Sequence, residues 1–94
     1  MGKFKEIIDS ATPTLVDFHA TWCGPCKTYA PTFEKVASET SGVQFKTIDV
    51  DSGDPLIMEL GIRNVPTTVV LNGSQVLQRQ SGTMGVEQLR QLIG

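Results

Sequence analysis

Two cysteines, one tryptophan, one tyrosine and one histidine are all that the 94 residues carry of these types. Two cysteines are too few for the disulfide framework that holds many small secreted domains together. Acidic residues outnumber basic ones by ten to eight, a formal net charge of −2, and no run of lysine or arginine occurs. That balance excludes a general nucleic-acid binder and a protein drawn to membranes by charge. The longest apolar stretches fall far short of a bilayer span, and residues 1–20 lack a signal-peptide pattern. Internal repeats, linkers and low-complexity segments are also missing. The expectation is a cytoplasmic protein forming a single domain over residues 1–94, large enough to bury a core without a structural metal.

Both cysteines lie in Trp22-Cys23-Gly24-Pro25-Cys26-Lys27. The segment before them, Thr14 to Ala20, is apolar on both faces except at Asp17 and His19, which predicts a strand in the middle of a covered sheet. After them, Cys26, Tyr29, Ala30, Phe33, Val36 and Ala37 share one helical stripe, ending near Ser41-Gly42. Pro31 lies inside that helix and predicts a kink. Val43 to Val50 alternates as a second strand. Asp54 caps a short helix that has Pro55 at its first position and stops at Gly61. Thr67 to Leu71 and Val76 to Gln80 are strands joined around Asn72-Gly73, and a last helix runs from about Gly85 to Ile93. Phe4, Ile7 and Ile8 give residues 2–9 the spacing of a short amphipathic helix. The first two strands make a parallel, right-handed βαβ unit and the last two an antiparallel hairpin. The predicted fold is α/β, a mixed four-stranded sheet with helices on both faces.

Two thiols at the junction of a strand and a helix N-terminus have three readings. Half of a zinc site requires further ligands, and outside this pair the chain offers only His19 and carboxylates, so no metal is expected. A static structural disulfide is the second reading. The third, reversible dithiol–disulfide exchange, suits the placement best. Cys23 stands where free N–H groups and the helix dipole favour a thiolate, which makes it the nucleophile. Cys26 lies one turn in on the buried stripe and is the resolving thiol, closing a Cys23–Cys26 disulfide as the substrate leaves reduced.

The hexapeptide, preceded by Val16-Asp17-Phe18 and followed by Pro31, resembles the active-site segment of thioredoxins. The similarity continues through Asp49-Val50-Asp51, Gly61-Ile62-Arg63, Val65-Pro66-Thr67, Asn72-Gly73 and Gly82, covering nearly everything from residue 14 onward. It implies a thioredoxin-like fold and a protein-disulfide reductase that binds no cofactor. The electrons would come from a separate thioredoxin reductase, the substrates would be disulfide-containing proteins, and the protein would be a monomer. It further implies that Pro66 follows a cis peptide bond opposite the disulfide. Trp22, Gly24, Pro25, Val65, Pro66 and Gly82 would form the substrate-binding patch, and Asp17 would be the buried base that, through water, removes the proton from Cys26.

Three features depart from the family pattern. Thr47 stands where a lysine often neighbours the buried carboxylate, so Asp17 should titrate higher still. His19 replaces an aromatic residue, where it would hydrogen-bond Asp51 or add a titrating group beside the dithiol. The family's first strand is missing or reduced. With Lys27, a charge beside Cys26, His19 and Thr47 are the candidate tuning residues. Two alternatives stand beside the reductase: a binding or chaperone module whose thiols are incidental, and a net disulfide oxidant or isomerase.

Overall fold

Strand β1 (Thr14–His19) is the spine of the sheet, with β2 (Gln44–Asp49) on one side and β3 (Thr67–Asn72) on the other. A computed structural model describes residues 13–73 and 75–93. The strand order is β2-β1-β3-β4, with β4 spanning Gln75–Ser81. β1 and β2 run parallel, which forces a crossover, and helix α1 (Gly24–Glu39) supplies it. The β1–β3 and β3–β4 pairs are antiparallel. Helix α2 (Pro55–Glu59) links β2 to β3, and α3 (Val86–Ile93) follows β4.

Alternation along the strands sorts the core into two layers. Val16, Phe18, Ile48, Val69 and Leu71 point to the face covered by Leu56 of α2. Leu15 and Val70 point to the other face, against Tyr29, Phe33 and Val36 of α1 and Met84 and Leu89 from the α3 side. Helices therefore cover both faces, as the two-sided apolar character of β1 requires. Each fully buried Leu, Val or Phe contributes about 1.5–3 kcal/mol of transfer free energy. Phe33 and Phe45 meet edge-to-face with ring centroids 5.6 Å apart, tying α1 to β2.

The predicted elements lie close to the observed ones. α1 runs from Gly24 through Pro31 to Glu39, and the chain then turns with Gly42 at a φ of +81°. In α2 the Asp54 side chain accepts the Leu56 N–H at 2.9 Å, and Gly61 takes a φ of +62° just after the helix. The hairpin differs slightly: β3 continues through Asn72, which pairs with Gln75, so the turn sits one residue later than Asn72-Gly73 suggested. β4 has an unanticipated bulge. Val70 faces Gln78 but Leu71 faces Val76, leaving Leu77 as the extra residue. The expected helix at residues 2–9, and the question of a first strand before it, lie outside the described residues.

Candidate active site

The C-terminal end of β1 delivers the chain through Ala20 and Trp22 to the start of α1, and Cys23 is the N-cap of that helix. Its backbone is extended and its Sγ accepts the backbone N–H of Cys26 at 3.1 Å. A sulfur thus takes the capping place usually held by a hydroxyl or carboxylate oxygen, where a negative charge meets a free helix N–H. Gly24 and Pro25 form the exposed first turn, with proline where its missing N–H costs nothing. Cys23 and Cys26 are joined as a disulfide with Cα atoms 5.3 Å apart, and both are buried among Ala20, Val50 and Val65.

Across from the disulfide, the Val65–Pro66 peptide is cis. Cys23 Sγ lies 3.8 Å from the Val65 carbonyl oxygen. The Pro66 carbonyl accepts the N–H of Gly82 at 2.8 Å, and Gly82 has a φ of +90° that favours glycine. Three segments distant in sequence are thereby brought together around one sulfur. Trp22 is 69% exposed at the rim, and its indole Nε1–H donates to Asp51 Oδ2 at 2.8 Å.

Of the two expectations for His19, the hydrogen bond to Asp51 is not made: Trp22 holds that carboxylate. His19 pairs in register with Asp49 and lines a pocket of about 400 Å³ with Ala20, Thr21, Cys26, Lys27 and Ala30. This pocket lies on the Cys26 side of the disulfide. On the other flank a groove of about 350 Å³ is lined by Trp22, Val50, Ile62, Arg63, Asn64 and Val65. The patch read from the sequence contained Trp22 and Val65. It lacked Val50, Ile62, Arg63 and Asn64; the first three stood only in the matching tripeptides Asp49-Val50-Asp51 and Gly61-Ile62-Arg63.

Asp17 is 3% exposed in the middle of β1, opposite Thr47 on β2 and Thr68 on β3. Burial pushes its carboxyl up to about 6, and the charge of nearby His19 works against that rise. Its Oδ1 has no hydrogen-bond partner among the described residues. Thr47 therefore does lie beside the carboxylate in register, and Lys46, one residue away, points to the opposite face. Among the described residues no group of three or more His, Cys, Asp or Glu side chains is arranged to hold a metal ion.

A disulfide at a helix N-terminus facing a cis-proline loop, on a four-stranded mixed sheet, defines a thiol–disulfide exchange centre of the thioredoxin-like class. The chain belongs to the thioredoxin family, whose sequence model, described as Thioredoxin, matches residues 1–94. It is 35% identical over 88 residues to a thioredoxin of Haemophilus influenzae, covering 93% of this chain and 82% of that one. It is 39% identical over 83 residues to a bifunctional thioredoxin reductase/thioredoxin of Mycobacterium leprae. That match takes in 87% of this chain but only 18% of the Mycobacterium protein. Among solved structures, the crystal structure of Malassezia sympodialis thioredoxin superposes with a TM-score of 0.84 at 36% identity, covering 96% of this chain and 79% of that one. Thioredoxins are protein disulfide oxidoreductases, and the Cys23–Cys26 disulfide is consistent with a dithiol–disulfide active site.

Among the described residues no helix is long and apolar enough to cross a membrane.

Proposed function

We propose that residues 1–94 act as one domain that reduces protein disulfides, with Cys23 as nucleophile and Cys26 as resolving thiol. The observation that carries this reading is the seating of Cys23 Sγ, capped by the Cys26 N–H at 3.1 Å and facing Val65 beside the cis-proline. In the dithiol form the Cys23 thiolate attacks one sulfur of a substrate disulfide. The substrate S–S bond breaks, a mixed disulfide forms, and the departing thiolate takes a proton. Cys26 then gives its proton to Asp17 and attacks Cys23 Sγ. The Cys23–Cys26 bond closes, the second substrate sulfur leaves, and two electrons have passed to the substrate.

Trp22, Gly24, Pro25, Val65, Pro66 and Gly82 form the surface that receives the substrate, with the Val65 backbone pairing to an extended segment. His19, Lys27 and Thr47 tune the thiols and Asp17 by charge and polarity. No bound cofactor is needed, because the electrons arrive through the same disulfide from a separate thioredoxin reductase. The fusion of the two activities in the Mycobacterium leprae relative supports that pairing. The setting is cytoplasmic, where thiols are kept reduced, and the protein works as a monomer without nucleic acid or membrane.

Replacing Cys26 with serine leaves the attack possible and removes resolution. The variant should accumulate mixed disulfides through Cys23 in extract, and the parent protein should reduce a model protein disulfide with dithiothreitol as electron source. Absence of both would return the chain to the binding-module reading. The equilibrium against glutathione separates reductase from oxidant: a poise well below that of protein disulfide isomerase is expected.

A further inference from the structure

Among the described residues, the mechanism above leaves one buried titratable side chain without a task. Tyr29 is 1% exposed, and its hydroxyl lies 2.9 Å from Thr68 Oγ1. Thr68 is fully buried and is the β3 residue directly opposite Asp17. Antiparallel partners place their side chains on the same face of the sheet, with Cβ atoms about 4.5–5.5 Å apart. That face lies beneath α1, where Cys26 is one turn before Tyr29 on the same buried stripe. Asp17 Oδ1, without a partner among the described residues, completes a cluster of buried polar groups below the dithiol.

A buried carboxylate takes its proton affinity from the donors and charges around it. On its own strand Asp17 has His19, which pairs with Asp49 on β2. Asp49 is itself engaged by the backbone N–H of Asp51 at 2.8 Å. Opposite Asp17 stand Thr47 on β2 and Thr68 on β3, and α1 adds Cys26 and Tyr29. The Tyr29–Thr68 bond can run in either direction. No direct bond joins Thr68 to Asp17, so the coupling between them would run through one water. With Asp17 ionised, Tyr29 would donate to Thr68 and leave the threonine hydrogen for that water; with Asp17 protonated, the acid would donate through it to Thr68, and Thr68 would donate to Tyr29. One hydroxyl pair would then serve both forms of the acid.

We infer that Tyr29 and Thr68 are positioning residues whose reversible hydroxyl pair sets the proton affinity of Asp17. The catalytic meaning of this rests on the reading of Asp17 as the base for Cys26. Two directions agree with it. Asp17 is raised to about 6 by burial, so both of its forms are populated at working pH. Tyr29 is pushed up to about 12 by burial, against a lowering by its Thr68 hydrogen bond and with a smaller rise from the Asp17 charge, so its phenol keeps its hydrogen throughout.

The test follows the Asp17 carboxyl carbon by NMR through a pH titration of the oxidised protein, whose cysteines do not titrate. Losing a donor to the carboxylate disfavours its charged form, so the midpoint should rise. The rise should be about one unit in Thr68→Val and smaller in Tyr29→Phe, while Thr68→Ser should stay near the parent. The pH dependence of mixed-disulfide resolution should move in the same order. Parent-like midpoints in folded Thr68→Val and Tyr29→Phe overturn the inference. Tyr29→Phe, which removes one oxygen and keeps the ring, decides alone if Thr68→Val does not fold. Asp17→Asn examines the base separately: unaltered resolution would remove Asp17 from the mechanism and leave the carboxyl titrations to stand on their own.

Discussion

A carboxyl group raised from its ordinary 3.8 to about 6 by burial has a consequence for stability as well as for chemistry. Below about pH 4 the folded and unfolded chains both hold the Asp17 proton, and the group is neutral in each. Between about pH 4 and pH 6 the unfolded chain releases it while the folded chain keeps it, so stability falls as pH rises. Above that window both states are ionised and the fold carries the whole cost of a buried charge, about 3 kcal/mol for a shift near two units. Asp17→Asn removes the titration. In urea unfolding of the oxidised protein it should be more stable than the parent by up to about 3 kcal/mol at pH 8. The gain should shrink towards zero near pH 4. A gain equal at both pH values would rule out the buried charge as its source. The sequence made Asp17 conspicuous because an acid interrupts an otherwise apolar strand. Its neighbours were not legible: Thr68 and Thr47 are set by strand register, and the Tyr29 hydroxyl looked like one more core contact on a helical stripe. The same limit explains His19, whose expected partner Asp51 is held by a tryptophan 29 positions earlier in the chain.

Among the elements, α2 is the one least able to stand alone, because a five-residue helix is far below the length at which an isolated helix persists. Its ends show what holds it. Asp54 caps the Leu56 N–H at 2.9 Å, Pro55 presets the first turn, and Leu56 is fully buried against the sheet. Asp54→Ala should cost about 1 kcal/mol in denaturant unfolding, and Asp54→Ser should recover most of it. An unchanged midpoint in the alanine variant would mean that the cap is idle. At the other end, the Arg79 guanidinium of β4 donates to the carbonyls of Leu60 and Gly61, the latter at 2.9 Å. A cation on carbonyls just past a helix C-terminus satisfies acceptors the helix leaves open and meets the negative end of its dipole. Arg79→Met keeps the stem and removes the donors. It should destabilise by about 1 kcal/mol and speed amide exchange around residues 60–62 more than elsewhere. The cap and the Pro55 start were readable as local signals. The arginine clamp and the bulge at Leu77 were not, since both depend on how the hairpin returns across the sheet.

At the scale of the molecule, the site has no scaffold of its own. Cys23 and Cys26 come from the start of α1, the cis-proline loop precedes β3, and Gly82 follows β4; only the sheet and its two apolar layers keep them in register. The βαβ-plus-hairpin order was legible from periodicity and turn signals, because the apolar runs of the two buried central strands, β1 and β3, and the turn after β3 are all local features, although β4 itself is exposed along its whole length. The convergence of the three segments was supplied by family resemblance alone. If site and core are one cooperative unit, damage far from the cysteines should act all-or-none. Leu89 of α3 provides such a site: it is fully buried in the layer with Tyr29, Phe33 and Val36. The neighbouring Arg90–Glu39 ion pair, at 2.5 Å, is solvent-exposed and offers little compensation. Leu89→Ala should cost about 2–5 kcal/mol, a large part of the roughly 5–15 kcal/mol typical of a whole domain. Trp22, the single tryptophan, reports on the site, and far-ultraviolet circular dichroism reports on the whole chain. In urea the two probes should give the same lowered midpoint with an unchanged slope. A tryptophan transition that separates from the dichroism transition would show instead that the dithiol loop opens as a unit distinct from the core that positions it.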